Sequence, residues 1–437
     1  MKFIDRVHPL NYKHPCEMSA ETRDNPKTEL ITSASVYNPV RDLWIVTAYY
    51  NPCAYKIRLS NYETFIAGLC SSNLNWLVVE CSFGDDKFTL PSSPNVRHVR
   101  ARHIMWQKER LLNLAFEHLP AACTKVAWLD SDVLFTNKDW AIQTSELLDY
   151  YPVVQPFDNV IRLPRGKKCY DGDGDVWKSF AAVYAQWPNA MLNGIFDNHG
   201  HTGFAWAARR DILVRHGLYD ACVSGSGDHM MAHGLCGDWE SNCIQRILGG
   251  NTKHQAHFVE WCRRIYKDVR ARVGYVPGAL LHLWHGDMNN RRYVLRNQEL
   301  ALFEFDPTVD IRIGLSGCWE WNSDKPDLHK WAVNYYAQRK EDGEMKPQNP
   351  ADSPSTYKGS IGNHKFASDQ QYIEALEAAL GRAHLEIEYL RQALRTDRQT
   401  ALRGASITLD EAQLSSTERA GRSSSVKRNG DEPCDTH

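Results

Sequence analysis

The stretch VAWLDSDVLF, residues 126–135, joins a short apolar run to two aspartates one residue apart, Asp130 and Asp132. Short apolar runs that end at polar residues are typical of buried strands. Because side chains alternate along a strand, we expect both carboxylates on the same side, facing one hard cation or one polar ligand. In apolar surroundings such a pair is costly unless a positive group compensates it. The stretch therefore predicts a ligand site at the carboxyl edge of a sheet.

Three further apolar runs precede this one, at residues 43–46, 76–79 and 96–99, with helix-like or turn-like segments between them. Leucine and alanine at helical spacing from Leu111 to Leu119, followed by Pro120, predict a helix after the third run. Strands that alternate with helices favour an α/β fold with a Rossmann-like, mostly parallel sheet flanked by helices. Ligands of such sheets bind beyond the carboxyl ends of the strands, where Asp130 and Asp132 would lie.

Composition predicts five segments along the chain. They are an N-terminal arm, a main domain, a linker, an amphipathic helix and a disordered tail, at residues 1–40, 41–342, 343–367, 368–397 and 398–437. In the fourth segment, apolar residues recur at spacings of three and four from Ile373 to Leu394. This seam predicts either a helix packed on the main domain or a short coiled coil through which the chain forms a homo-oligomer.

Charge and cysteine usage limit the function classes. The formal net charge of -2 gives no overall electrostatic reason to expect nucleic acid or a membrane surface as partner. Residues 261–296 are a local exception, because this segment contains eight Lys/Arg and only two Asp and could bind phosphates. The 12 cysteines include no C-x-x-C pair, which indicates neither a zinc ribbon nor a disulfide scaffold. Without an apolar leader or a transmembrane run, we expect a cytoplasmic protein.

Three downstream residues bring further chemistry. His285 follows the apolar run at residues 280–284 and is preferred over His282 as a third ligand for Mn²⁺ or Mg²⁺; a hydrogen-bonded core imidazole is the alternative. Arg291 lies in the polar segment that follows and could close over a diphosphate, unless that segment is a solvated turn. Asp228 is flanked by glycines and suits a general base for an acceptor hydroxyl, or else it belongs to an ordinary turn.

In their order along the chain, these motifs resemble those of GT-A-fold glycosyltransferases, which move a sugar from a nucleotide donor to an acceptor. The resemblance runs from about residue 43 to residue 342. Its motifs are TAY at 47–49, Glu80, WQKER at 106–110 with Asn113, DSD at 130–132, HTGFAW at 201–206, GSGD at 225–228 and HG at 285–286. It implies a metal site of Asp130, Asp132 and His285, with Asp132 bound directly and Asp130 reaching the ribose, the sugar or a metal-bound water.

The resemblance also implies how the donor is held. Thr47, Tyr49 and Glu80 would frame the base and ribose of the nucleotide, and Arg102 and Lys108 would reach the donor together with Arg291. Asp228 would be the base of an inverting transfer, although many relatives carry two adjacent acids there and this chain has Asp228 followed by His229. If the product retains configuration, Asp228 would instead bind the acceptor.

The expected cofactor is Mn²⁺ or Mg²⁺, and the expected donor is a UDP-sugar. The acceptor stays open among a glycan, a protein side chain, a lipid carrier and, as the minority hypothesis, modified DNA. Two other functions compete with this one. The first is a Mg²⁺-dependent phosphatase of the haloacid dehalogenase type, in which the first aspartate of D-x-D is the nucleophile. The second is a catalytically silent sugar-binding or assembly protein.

Overall fold

The computed structural model describes residues 40–188, 199–293 and 295–343, together with two short strands, Ser360–Ile361 and His364–Lys365. The chain divides into two units, residues 1–344 and residues 345–437. In the second unit the two short strands pair antiparallel. The predicted helix at 368–397, with its seam from Ile373 to Leu394, lies outside the described residues, as does the predicted arm up to residue 39.

The first unit is built of strands and helices that alternate along much of the chain. Its described strands are β1 (Leu43–Tyr50), β2 (Asn75–Phe83), β3 (Val96–Ala101), β4 (Lys125–Leu129), β5 (Val133–Phe135), β6 (Val153–Gln155), β7 (Asn159–Arg162), β8 (Asp175–Lys178), β9 (Ala205–Arg209), β10 (Val273–Tyr275), β11 (Ala279–His282), β12 (Ile311–Ile313) and β13 (Trp319–Trp321). Its described helices are α1 (Lys56–Ser71), α2 (Lys108–Glu117), α3 (Trp140–Leu148), α4 (Phe180–Gln186), α5 (Arg210–His216), α6 (Gly227–Leu235), α7 (Asn242–Leu248), α8 (Thr252–Val269), α9 (Leu295–Leu302), α10 (Pro307–Asp310) and α11 (Pro326–Gln338), and a 3-10 helix spans Met288–Arg291. No helix of the described residues is long and apolar enough to cross a membrane.

The main sheet has seven strands in the order β10-β6-β9-β4-β1-β2-β3. Neighbours pair parallel from β4 to β3, and β6 pairs parallel with β10. Strand β9 runs antiparallel to both β4 and β6. The predicted α/β class with a mostly parallel sheet flanked by helices is therefore confirmed.

The four apolar runs that predicted strands all lie in the parallel half of the sheet. Strand β1 is its centre, and Val46 pairs with Leu77 of β2 on one side and Trp128 of β4 on the other. Parallel strands covered by helices on both faces read as continuous apolar runs, which is why β1, β2 and β4 lack alternation. Strand β3 lies at the edge of the sheet and exposes Arg97 and Arg100. The predicted helix is α2, whose buried Leu111 and Leu112 join the core beneath β1 and β2.

A second sheet has the strand order β5-β11-β7-β8. The chain passes from the first sheet into the second between β4 and β5. Asp130, Ser131 and Asp132 form the link between the last residue of β4 and the first residue of β5. Strand β5 pairs antiparallel with β11, and its Val133 faces His282. Strand β11, which contains the start of the apolar run at residues 280–284, ends at His282, so His285 lies in the segment beyond it. This pairing brings both histidines to the D-x-D turn.

Gly200 is needed for a close approach of two backbone segments. Its φ is +73°, and a Cβ there would lie 2.6 Å from the carbonyl oxygen of Ser179. We expect Gly200→Ala to lower the free energy of unfolding by about 2–4 kcal/mol, because left-handed strain and a clash with backbone add together. Gly166 is the matched control, since its φ is +80° and nothing lies within 4 Å of the added Cβ.

Alanine at Gly166 should cost about 1–2 kcal/mol, from the backbone strain alone. Urea unfolding monitored by tryptophan fluorescence measures both variants against the parent chain. Equal losses at the two positions would show that the contact with Ser179 does not constrain the fold.

Candidate active site

The turn that carries Asp130 and Asp132 is fixed by backbone hydrogen bonds to two other strands. The N–H of Asp130 donates to the carbonyl of Phe204, 2.7 Å away, just before β9. The N–H of Leu283 donates to the carbonyl of Asp132, 2.9 Å away, just after β11. The two carboxylates thus lie at the carboxyl end of β4, on the edge of the sheet where ligands of α/β folds bind.

The carboxylate of Asp132 lies close to the imidazoles of His282 and His285. Its Oδ2 lies 3.2 Å from Nε2 of His285, and its Oδ1 lies 3.9 Å from Nε2 of His282. The two Nε2 atoms are 3.0 Å apart, so the three side chains present one ligand atom each to a common point. Oδ1 of Asp132 is buried and has no hydrogen-bond partner among the described residues. A carboxylate and two imidazoles suit a divalent cation of the Mn²⁺ or Zn²⁺ kind.

Burial shifts the protonation of these ligands. Burial and the neighbouring Asp130 carboxylate raise the pKa of Asp132 to about 7. Burial lowers the pKa of His285 to about 3, and that of His282 falls well below its usual value for the same reason. Both imidazoles are therefore neutral in the physiological range, which is the form that binds a metal.

Behind His285 lies a buried group of charges, the guanidinium cluster: Arg58, Arg291, Arg339 and Glu341. The carboxylate of Glu341 lies 3.2 Å from Arg58, 2.5 Å from Arg339 and 3.7 Å from Arg291. Burial alone would raise the pKa of Glu341, but Arg58 and Arg339 hold it well below its ordinary value. Three guanidiniums surround one carboxylate, which leaves an excess of positive charge next to the candidate metal ligands.

The guanidinium cluster also orients His285. Nδ1 of His285 lies 2.6 Å from Nη2 of Arg291 and 3.6 Å from Oε2 of Glu341. The same Nη2 donates to the backbone carbonyl of His285, 2.6 Å away. Metal-binding histidines usually donate their other N–H to a carboxylate, which fixes the ring. Nη2 of Arg291 can only donate, so Nδ1 of His285 accepts in this contact. Binding of a cation at Nε2 would require the ring proton to lie on Nδ1, with the Glu341 carboxylate 3.6 Å away as its nearest acceptor.

A second polar group is centred on Lys108, at the start of α2. Its ammonium lies 2.6 Å from Oδ1 of Asp130 and 2.7 Å from Oδ2 of Asp228. Burial alone would lower the pKa of Lys108, but the two carboxylates raise it well above its ordinary value. Burial raises the pKa of Asp228 despite the lysine. Lys108 thus holds the first aspartate of the D-x-D turn and the acid of the GSGD segment on one side of the site.

Glu109 lies beneath this group. Trp106 Nε1 donates to its Oε2 at 3.0 Å, and a Cβ on Gly227 would come within 2.5 Å of its Oε1. Burial raises the pKa of Glu109 to about 8, so its carboxyl is mostly protonated near pH 7. The glycine at 227 therefore allows the start of α6, with Asp228, to pack directly on this carboxyl group.

The predicted site residues fall into two sets. Asp130, Asp132, His285, Arg291, Lys108 and Asp228 converge at the carboxyl end of β4. Arg291 is buried against His285 rather than placed in an open loop, and His282 stands beside His285 as a second imidazole.

The other predicted nucleotide contacts lie on or just after the neighbouring strands β1, β2 and β3. Thr47 and Tyr49 are buried within β1, and the ring of Tyr49 packs on that of Tyr62 at 5.1 Å. Glu80 accepts the backbone N–H groups of Thr89 and Leu90 at 2.6 and 3.0 Å, which fixes the segment after β2. Arg102 is exposed. Their role in donor binding stays a prediction.

Sequence reasoning missed Arg58, Arg339 and Glu341. Arg58 had a positional signal, because it lies in the first turn of α1 directly after β1, at the carboxyl edge of the sheet. Glu341 had none, since 283 residues separate it from Arg58 in the chain.

We expect the affinity for Mn²⁺ to rise about tenfold per pH unit up to about pH 7 and to level off above it. Below that pH the metal must displace a proton from Asp132, whose pKa is about 7, while His285 with its pKa of about 3 is already free of its proton. Calorimetric titration of the full chain with MnCl₂ at several pH values measures this slope. An affinity that does not change between about pH 5.5 and pH 7 would show that the metal displaces no proton from Asp132 in this range.

No family model matches the chain, and no curated protein matches its sequence. Among solved structures, glucosyl-3-phosphoglycerate synthase from Mycobacterium tuberculosis, in complex with Mn²⁺, UDP and phosphoglyceric acid, is similar at 11% identity and a TM-score of 0.30, over 60% of this chain and 78% of that chain. The catalytic domain of Drosophila beta1,4-galactosyltransferase 7, in complex with xylobiose, is similar at 11% identity and a TM-score of 0.30, over 66% of this chain and 98% of that chain. Similarity of this extent assigns no family, so the chemistry has to be inferred from the side chains of the site.

Proposed function

We propose that the protein is a GT-A glycosyltransferase that binds a UDP-sugar together with Mn²⁺ or Mg²⁺ and transfers the sugar to an acceptor hydroxyl. One observation carries the proposal: a metal-ligand group of Asp132, His282 and His285 adjoins a buried guanidinium cluster at the carboxyl edge of a parallel sheet. Buried positive charge in excess is costly unless an anion offsets it. A nucleoside diphosphate brings that anion and the oxygen ligands that complete the coordination of a divalent cation.

In such a reaction one group of residues would bind the metal and another would bind the phosphates. Asp132, His282 and His285 would hold the cation, which disperses the negative charge of the leaving diphosphate. Arg291 and Arg58 would neutralise phosphate oxygens from the side of Glu341. Arginine suits this role because its planar fork matches a phosphate group.

Asp228 would act as the general base of an inverting transfer. It lies in the first turn of α6 and reaches the D-x-D turn through Lys108. Burial raises its pKa, which makes its carboxylate a stronger base than that of an exposed aspartate. Lys108 keeps the carboxylate on the side of Asp130, where the acceptor hydroxyl would approach.

The phosphatase hypothesis is not favoured by this geometry. In haloacid dehalogenase phosphatases the first aspartate of the motif is the nucleophile and shares the Mg²⁺ with the second. Here Asp130 is paired with Lys108, and among the described residues the metal-ligand group contains Asp132 and two histidines instead.

Two histidines and one carboxylate also hold iron in non-haem oxygenases. That ligand set gives the site a second candidate function, oxygen chemistry on Fe²⁺. The guanidinium cluster favours a phosphate-bearing ligand over this candidate, because the planar fork of arginine matches phosphate oxygens.

The experiment is a thermal-stability series with UDP, GDP, CMP, dTDP and inorganic phosphate, each without metal and with Mn²⁺, Mg²⁺ or Fe²⁺, together with each metal alone. A ligand of the native state raises stability by mass action, by about 2.7 kcal/mol at a concentration of 100 times its Kd. We expect UDP to stabilise the chain only when Mn²⁺ is present. Stabilisation by phosphate with Mg²⁺ alone would favour the phosphatase, and stabilisation by Fe²⁺ with no nucleotide effect would favour the oxygenase.

A further inference from the structure

A second group of metal-ligating side chains lies apart from the ligands at Asp132. It comprises His199, His229, His233 and Cys243, called here the His₃Cys cluster. Their ligand atoms all lie within 4.8 Å of one another, and all four residues are buried. The GT-A mechanism described above uses none of them.

Three separate parts of the fold contribute to this cluster. His229 and His233 are four residues apart on α6, so one face of the helix presents both rings. The two rings are nearly parallel, with centroids 4.9 Å apart and an interplanar angle of 8°. His199 stands edge-on to both, at 4.7 and 5.0 Å between centroids. Cys243 is the second residue of α7.

The outer nitrogen atoms of two of these histidines are already engaged. Nδ1 of His233 lies 2.7 Å from a carboxylate oxygen of Asp238 and 3.3 Å from Oγ of Ser241. Nδ1 of His199 lies 2.8 Å from the carbonyl oxygen of Gly200. A ring that donates its Nδ1–H in this way keeps a lone pair on Nε2. Metal-binding histidines are oriented by the same kinds of partner.

His233 gives the most direct indication of a ligand. Its side chain is fully buried, and its Nε2 has no hydrogen-bond partner among the described residues. A buried polar atom without a partner is costly, and here it faces two other imidazoles and a thiol. The surroundings are apolar as well, since the ring of Phe180 lies 5.6 Å from His233 and 5.8 Å from His199. A bound cation would give Nε2 of His233 the partner that it lacks among the described residues.

We propose that the His₃Cys cluster binds a structural Zn²⁺ ion. Zinc prefers imidazole nitrogen and thiolate sulfur in a tetrahedron, with bonds of roughly 2.0–2.3 Å. Such a tetrahedron places its ligand atoms about 3.5 Å from one another, so binding would contract the cluster slightly from its present spread. Four protein ligands leave no open position, which indicates a structural role rather than a catalytic one.

This zinc would fix two segments of the candidate active site. His229 directly follows Asp228, and only Gly200 separates His199 from the HTG segment at 201–203. The ion would therefore hold the start of α6 against the chain that enters β9. The inference concerns positioning and does not depend on which reaction the protein catalyses.

The test is the metal content of the full chain, purified without a polyhistidine tag and analysed by mass spectrometry after dialysis against zinc-free buffer. We expect about one Zn²⁺ per chain that resists dialysis. Cys243→Ser and His233→Gln should each lose it. Cys262→Ser is the matched control, because Cys262 is another buried cysteine in the same core and lies outside the cluster. Asp132→Asn should keep this ion.

Replacement of the zinc by Co²⁺ gives a second readout, and the wild-type chain alone shows whether a thiolate binds the metal. Chelator-treated wild-type chain reloaded with Co²⁺ should show a thiolate-to-metal charge-transfer absorption, which Cys262→Ser retains and Cys243→Ser lacks. A wild-type chain that neither holds zinc nor gives this absorption would overturn the proposal. So would zinc that persists in both Cys243→Ser and His233→Gln, or zinc that only Asp132→Asn removes.

Discussion

Replacing Asp132 by asparagine is expected to lower Mn²⁺-dependent release of UDP from a UDP-sugar by at least about 100-fold. Loss of a residue that merely orients a metal ligand already costs about 10–100-fold in affinity or activity, and Asp132 would be a ligand itself. An amide oxygen carries no charge to offset that of the cation. Coupled measurement of released UDP, at saturating and at limiting Mn²⁺, gives both the rate and the metal affinity.

Asp85→Asn is the control, because Asp85 is exposed in the turn after β2. The loss at Asp132 should not come from unfolding. Burial raises the pKa of Asp132 to about 7, so a neutral side chain is tolerated there without metal at least as well as the carboxylate. UDP release at the wild-type rate in Asp132→Asn would contradict the assignment of the metal site.

Asp228→Asn is expected to lower sugar transfer by about 100-fold to 10,000-fold while binding of UDP with Mn²⁺ persists. The variant removes the group that would accept the proton of the acceptor hydroxyl, and it leaves Asp132, His282 and His285 unchanged. Turnover with an acceptor and thermal stabilisation by UDP with Mn²⁺ measure the two effects separately.

Glu109→Gln is the matched control for this variant. Glu109 is a buried neighbour of Gly227, and its pKa of about 8 leaves it mostly protonated near pH 7. A glutamine oxygen can still accept from Trp106, so transfer should stay within about threefold of wild type. Transfer that survives in Asp228→Asn would remove its role as base. Parallel loss of UDP binding would instead indicate that Asp228 supports the donor site.

The parallel half of the sheet was predictable because its signal is local. Strands β1, β2 and β4 are largely buried, so each one is a compact apolar run in the sequence. Strand β3 is at the edge of the sheet and was recognisable from two valines three residues apart. Strand β9, AWAAR at 205–209, was not predicted to be a strand. It is short and inserts between β4 and β6 against the direction of both, so its position depends on pairing with distant segments rather than on its own pattern.

The candidate site likewise contains residues that local sequence predicted and residues that only the folded chain brings together. Asp130 and Asp132 are neighbours in sequence, and their turn was recognisable from the apolar run before them. The sequence favoured His285 over His282, but β11 ends at His282 and the chain then turns so that both rings lie near Asp132. Glu341 pairs with arginines from distant parts of the chain, such as Arg58. No local sequence pattern predicts these ion pairs.

The His₃Cys cluster shows a further limit of spacing rules. His229 and His233 have the spacing that places two ligands on one helix face, but the other two ligands lie 30 residues before His229 and 10 residues after His233. The prediction from cysteine spacing considered C-x-x-C pairs, and a site with one cysteine contains none. Only the packing of α6 against α7 and the segment at His199 brings these four side chains together.

The most direct test of the proposed function is release of UDP from a series of UDP-sugars by the full chain with Mn²⁺ and without it. We expect release from at least one UDP-sugar that requires Mn²⁺, stops when a chelator is added, and is absent from Asp132→Asn. Absence of nucleotide release from every nucleotide-sugar, together with Mg²⁺-dependent release of phosphate from a phosphomonoester, would contradict a glycosyltransferase and identify a phosphatase.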